Sequence, residues 1–132
     1  MADIKTVNPW KWQEPLGFSH GALVSEARRV LYCAGQTSVD ANGAPLHAGD
    51  MRRQFDQAMQ NLEIVPRDAG MSLANLVRLN YYVTDMQAFL GISGHVAARM
   101  SAAGIAPPGT LLGVSALFSP EILIEIEATA VA

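Results

Sequence analysis

The chain has 132 residues and a mass of 14.1 kDa; 50% are apolar and 16% charged, with nine Lys and Arg against twelve Asp and Glu and a formal net charge of −3. That length suits one domain able to bury about two-thirds of its unfolded surface, and the low charge excludes a largely disordered chain. No apolar run approaches the roughly 18 residues of a spanning helix, and no basic cluster exceeds the pairs Arg28-Arg29 and Arg52-Arg53, so neither a membrane nor a nucleic-acid partner is expected.

Residues 1–16 read as a lead-in whose Trp10 and Trp12, flanked by Pro9 and Pro15, pack on a body formed by residues 17–132. The opening MADIKTVNPWKW has no basic stretch followed by an apolar one, so no secretory signal is visible and a cytoplasmic location is expected. From Ala22 to Ala34 two apolar bursts surround Ser25-Glu26-Ala27-Arg28, which predicts a hairpin with Val30-Leu31-Tyr32-Cys33 as a buried second strand. Asp40-Ala41-Asn42-Gly43 predicts a tight turn. Asp50 is placed to cap a helix whose apolar face is Met51, Phe55, Ala58, Met59, Leu62 and Val65, ended or kinked by Pro66 and closed by Gly70.

Leu76 to Val83 reads as a strand, with Tyr81 and Tyr82 facing opposite sides. Thr84-Asp85 starts a second helix carrying Met86, Phe89, Leu90, Val96, Ala97 and Met100, where Gly91 and Gly94 mark either close packing or a short break. After Pro107-Pro108 two more strands are predicted, Thr110 to Leu117 and Ile122 to Val131. In the last, Ile122, Ile124, Ile126 and Ala128 point one way, and Leu123, Glu125, Glu127 and Thr129 the other. The order strand-strand-helix-strand-helix-strand-strand gives an α+β fold, a mixed sheet with two helices packed on one face. The other face is then open to self-association.

Chemistry is sparse along the chain. Cys33 alone permits no intrachain disulfide and no cysteine-based zinc site; within its apolar strand it reads as a buried, inert thiol. His20 and His95 stand alone, and no histidine pair has metal-ligand spacing, so no metal site is expected. Glu125 and Glu127, two apart on a strand, share a face; they form either an acid-base pair or a solvated or intersubunit face. The 33 residues from Met100 to Ala132 contain no Lys or Arg.

At Leu31-Tyr32-Cys33-Ala34-Gly35-Gln36 and again at Ile124-Glu125-Ile126-Glu127-Ala128-Thr129-Ala130-Val131 the chain resembles the RidA/YjgF family. The match continues in order through Gly17-Phe18-Ser19-His20, the Asp40/Gly43 turn, Gln57-Ala58-Met59-Gln60-Asn61-Leu62, Asp68-Ala69-Gly70-Met71-Ser72-Leu73 and Val83-Thr84-Asp85-Met86, covering roughly residues 17 to 131. The resemblance implies a chorismate-mutase-like fold, a homotrimer with three intersubunit clefts for a small metabolite, and hydrolysis of reactive enamines and imines to a 2-keto acid and ammonia without metal or cofactor. It also implies a catalytic glutamate on the last strand, which Glu125 matches, and a Gly-Gln pair lining the cleft, which Gly35 and Gln36 match.

Two implied polar groups are missing. The family's carboxylate-gripping arginine falls on Gly109, followed by Thr110 where serine is common, and its cleft tyrosine falls on Phe18. Gly109 either enlarges a pocket or marks the start of a strand. No shift of the alignment recovers a cation from the last 33 residues, so a substitute must come from Arg28, Arg29, Arg52, Arg53, Arg67, Arg78 or Arg99. The chain is therefore expected to be a branch of the family without standard 2-aminoacrylate deaminase activity: either another cofactor-free imine or enamine hydrolase, or a binding module that catalyses nothing. The ribonuclease label sometimes given to relatives is disfavoured by the net charge.

Overall fold

The computed structural model describes residues 2–132. Six strands and three helices follow the chain: β1 (Asp3–Val7), β2 (Gly21–Ser25), β3 (Val30–Thr37), α1 (Met51–Asp68), β4 (Leu76–Val83), α2 (Met86–Gly91), α3 (Ser93–Ala102), β5 (Leu111–Gly113) and β6 (Ile124–Val131). A four-stranded sheet has the order β3-β6-β4-β5, antiparallel except for the parallel β4/β5 pair, and β1 and β2 form a separate antiparallel ribbon. This is the mixed sheet expected, with three helices rather than two.

Helix α1 forms as its pattern dictates. Asp50 accepts from Arg53 N–H at 3.0 Å, and Phe55, Ala58, Met59 and Leu62 are wholly buried against β3 and β6. Each large apolar side chain so buried contributes about 1.5–3 kcal/mol before entropy is set against it. Pro66 does not break the helix, which runs two residues further. Gly70, at φ +75°, then lets Gly70 N–H reach Arg67 O and Met71 N–H reach Pro66 O, the paired closure of a left-handed helix end. The second helix breaks at Ile92 into α2 and α3; a Cβ on Gly91 or Gly94 would meet nothing within 4 Å, so the glycines relax the chain rather than admit a neighbour.

The hairpin expected between residues 22 and 34 does not form. β2 pairs with β1, which residue alternation did not reveal, and β3 pairs with β6. The reason lies at the far end of the chain: Arg28 and Arg29 N–H both donate to Ala132 O, and Ala132 N–H donates to Arg29 O, so the backbone after the turn belongs to β6. Nor is β3 buried throughout. Cys33 is buried, but Val30 and Tyr32 are 50% and 80% exposed on the helix-free side. The strand expected from Thr110 to Leu117 is only β5, and the last strand begins at Ile124, with Ile122, Ile124, Ile126, Ala128 and Ala130 all buried toward the helices. Among the described residues no helix is long and apolar enough to cross a membrane.

Candidate functional site

The helix-free face of the sheet carries the acidic chemistry. In the β3/β6 ladder Cys33 opposes Ala128 and Gln36 opposes Ile126, so Ala34 and Gly35 together face Glu127 and form a bulge. A Cβ on Gly35 would sit 1.9 Å from Glu125 Oε2 and 2.7 Å from its carboxyl carbon. Glycine is therefore what lets the Glu125 carboxylate lie against the bulge, and that carboxylate accepts no hydrogen bond among the described residues. Gln36, half-buried at the end of the bulge, pairs with the helix-facing Ile126, so its side chain takes the face opposite Glu125; its amide has no hydrogen-bond partner among the described residues. The end of β3 is anchored by Asn61, whose amide donates to Thr37 O at 2.9 Å and Val39 O at 3.0 Å.

Glu127 is held quite differently. Tyr82 donates its hydroxyl to Glu127 Oε1, and Asn80 Nδ2 donates to the same oxygen at 3.2 Å. The Tyr82 hydroxyl first, then the Asn80 amide, hold the Glu127 carboxyl below its ordinary range, while the same bond to Glu127 raises the Tyr82 phenol. Asn80 also accepts from Thr110 N–H at 2.9 Å, which ties the start of β5 to this network. Of two glutamates that share a face, Glu127 holds two donors on Oε1 and Glu125 holds none among the described residues.

A cavity of about 220 Å³ opens on the other side, where α2 and α3 cross the β4-β5 edge. Phe18, Gly109 and Thr110 line it, with Leu79, Tyr81, Phe89 and Val96 as its inner wall, and among the described residues no charged one contributes. Gly109 does not widen it. A Cβ there would fall 1.7 Å from Leu79 O, because Pro108 O accepts from Leu79 N–H and Thr110 O from Tyr81 N–H, pressing this segment on the β4 backbone. A side chain in this backbone conformation would collide with the β4 backbone, so the space beside Gly109 is taken by Leu79 O. None of the seven candidate arginines lines the cavity: Arg29 donates to Ala69 O, Arg53 lies near Asp50 and Arg99 pairs with Glu63.

The expected residues thus fall into two groups within one chain, Gly35, Gln36 and Glu125 around the β3 bulge and Phe18, Gly109 and Thr110 around the cavity. Pairing register gives Asn80, Tyr82 and Glu127 as the residues between them, of which only Glu127 was singled out by spacing. Outside the cavity, His20 sits among Trp10, Trp12 and Phe18 at ring distances of 4.9–5.7 Å and contacts Gln13 at 3.0 Å. His95 packs on Phe55 and binds Asp56 at 2.6 Å. Cys33 is buried, and burial raises its thiol. No group of three or more metal-ligating side chains occurs among the described residues.

Comparison with known proteins places this geometry in a family. The endoribonuclease L-PSP family pattern matches residues 14–132. A RutC family protein of Pyrococcus horikoshii, PH0854, is 30% identical over 117 residues, 89% of each chain. The solved structure of YyfB from Yersinia pestis, described as a conserved Rid family protein of unknown function, is 34% identical with a TM-score of 0.86 over 99% of this chain and 98% of its own. Rv2704 of Mycobacterium tuberculosis, from the YjgF/YER057c/UK114 family, is 25% identical with a TM-score of 0.64, covering 98% of this chain and all of its own. The chain belongs to this family, the RidA/YjgF group.

Proposed function

We propose that the protein is a homotrimeric small-molecule cleft protein that hydrolyses an uncharged imine or enamine without a cofactor, Glu125 acting as general base. The observation that carries the choice of an uncharged substrate is the cavity wall, where no cation stands among the described residues and where Gly109 is confined by the β4 backbone. The two groups of site residues support a cleft completed by a second copy, whose bulge would face the cavity of the first. Exposure of Tyr32, Leu112 and Phe118, at 80%, 37% and 63%, supports coverage by neighbouring copies.

In the reaction Glu125 takes a proton from water as the water oxygen adds to the C=N carbon. The nitrogen gains that proton and one more from the new hydroxyl, the C–N bond breaks, and ammonia leaves a carbonyl compound. An enamine is first protonated at carbon to give the same imine. The unengaged Glu125 carboxylate suits this role, since a base must be free to accept the proton; Glu127, already holding the Tyr82 and Asn80 donors, is a positioning residue. The net charge of −3 and the lack of a basic cluster favour a metabolite over RNA.

The test generates benzaldimine continuously from benzylamine with an amine oxidase, in the presence of semicarbazide as a competing trap. The wild-type protein is expected to slow semicarbazone formation by diverting the imine to benzaldehyde, and Glu125→Gln to lose that effect. An effect that survives in Glu125→Gln contradicts the assignment of the base. Ligand binding with no effect on the imine, seen as a raised melting temperature, identifies a non-catalytic module instead.

A further inference from the structure

We infer that Tyr81 is the specificity anchor of the cavity, selecting an uncharged, ring-sized ligand that presents one hydrogen-bond acceptor to the phenol; this rests on the reading of the cavity as the ligand site. Tyr81 lies on the helix-facing side of β4, its ring against Phe89 at 5.3 Å between centroids. Its hydroxyl has no hydrogen-bond partner among the described residues. No fully buried polar side-chain atom among them is left unpartnered, so that hydroxyl is not fully buried, and the void its residue lines is where a ligand could reach it. A polar donor in an apolar wall, with no internal partner, is where a ligand's acceptor gains most.

The surroundings specify the rest. Leu79, Phe89, Val96 and Leu111 offer only apolar contact, and Ser93 and Thr110 are the remaining hydroxyls. Burial pushes the Tyr81 phenol further above its ordinary 10, so the group is a donor at every physiological pH and never a counter-ion for a cation. An ionised carboxylate would enter without a cation to pair it, at a desolvation cost that one phenol does not offset. The volume of about 220 Å³ exceeds the roughly 150 Å³ of an engineered apolar cavity known to hold benzene, so a six-membered ring with a short polar substituent fits.

The experiment compares acetophenone, ethylbenzene and benzoate on the full chain and on Tyr81→Phe, with affinities from protein NMR titration following the Phe18 and Leu111 resonances. The ratio of acetophenone to ethylbenzene affinity is expected to fall about fivefold from wild type to Tyr81→Phe, the worth of one net hydrogen bond, with ethylbenzene affinity unchanged. Benzoate is expected to bind at least tenfold more weakly than acetophenone to both proteins. An unchanged ratio, or benzoate as the tightest ligand, overturns the anchor while leaving the cavity as a ligand site. Failure of all three probes to shift the cavity resonances overturns the cavity reading, and the anchor falls with it.

Discussion

Two glycines and two glutamates divide the chemistry of this chain by what touches them. Gly35 leaves room for the Glu125 carboxylate, while Gly109 leaves room for a β4 carbonyl. Gly109→Ala is expected to cost about 1–3 kcal/mol, since the added Cβ would fall 1.7 Å from Leu79 O and neither backbone can move away without opening the sheet edge; urea denaturation measures it, and an unchanged midpoint contradicts it. The Tyr82–Glu127 bond sets a pH dependence. Glu127 is held below its ordinary 4.5, so its contribution to stability is present above that value and is lost as pH falls through the folded-state value. Tyr82 is held above its ordinary 10.0, so its contribution is full below that value and is lost as pH rises through the folded-state value. The stability difference between wild type and Tyr82→Phe is therefore expected to be flat from about pH 6 to pH 9 and to shrink on both sides, as followed by denaturation at each pH.

At the scale of elements, α1 organises the site from behind. Gln54, wholly buried, donates to His47 O at 3.0 Å and Glu121 O at 2.6 Å and accepts from Leu123 N–H at 2.8 Å, fixing the residue that leads into β6 two positions before Glu125. Gln54→Leu strands three backbone groups and is expected to lower stability by about 1–3 kcal/mol and to speed amide exchange at Leu123, which hydrogen-exchange NMR reads. Elements with strong periodicity were legible in the sequence, as α1 and β6 demonstrate: one buries a helical face, the other strictly alternating residues. β1 was not, because four of its five residues are exposed and its partner is chosen by backbone pairing with β2. The false hairpin has a similar origin, since nearness in sequence suggested a pairing that the distant Ala132 takes instead. Glu125 and Gly35 were legible through resemblance. The confinement of Gly109 was not, because its cause lies on a strand some thirty residues earlier, nor was Tyr81, whose free hydroxyl depends on how α2 and α3 cross the sheet edge.

At the scale of the molecule, a sheet covered by helices on one side presents Tyr32 and Leu112 on the other, and the proposed trimer would cover them. Native mass spectrometry is expected to give three times the 14.1 kDa chain mass, and Tyr32→Glu to shift it toward the monomer by placing a charge in the interface; a monomeric wild type contradicts the assembly. The central claim is that the completed cleft takes a neutral molecule and does not grip a carboxylate. Pyruvate release from 2-aminoacrylate generated in situ tests it most directly. The account requires release no faster than in buffer alone, and acceleration that scales with protein concentration would contradict it.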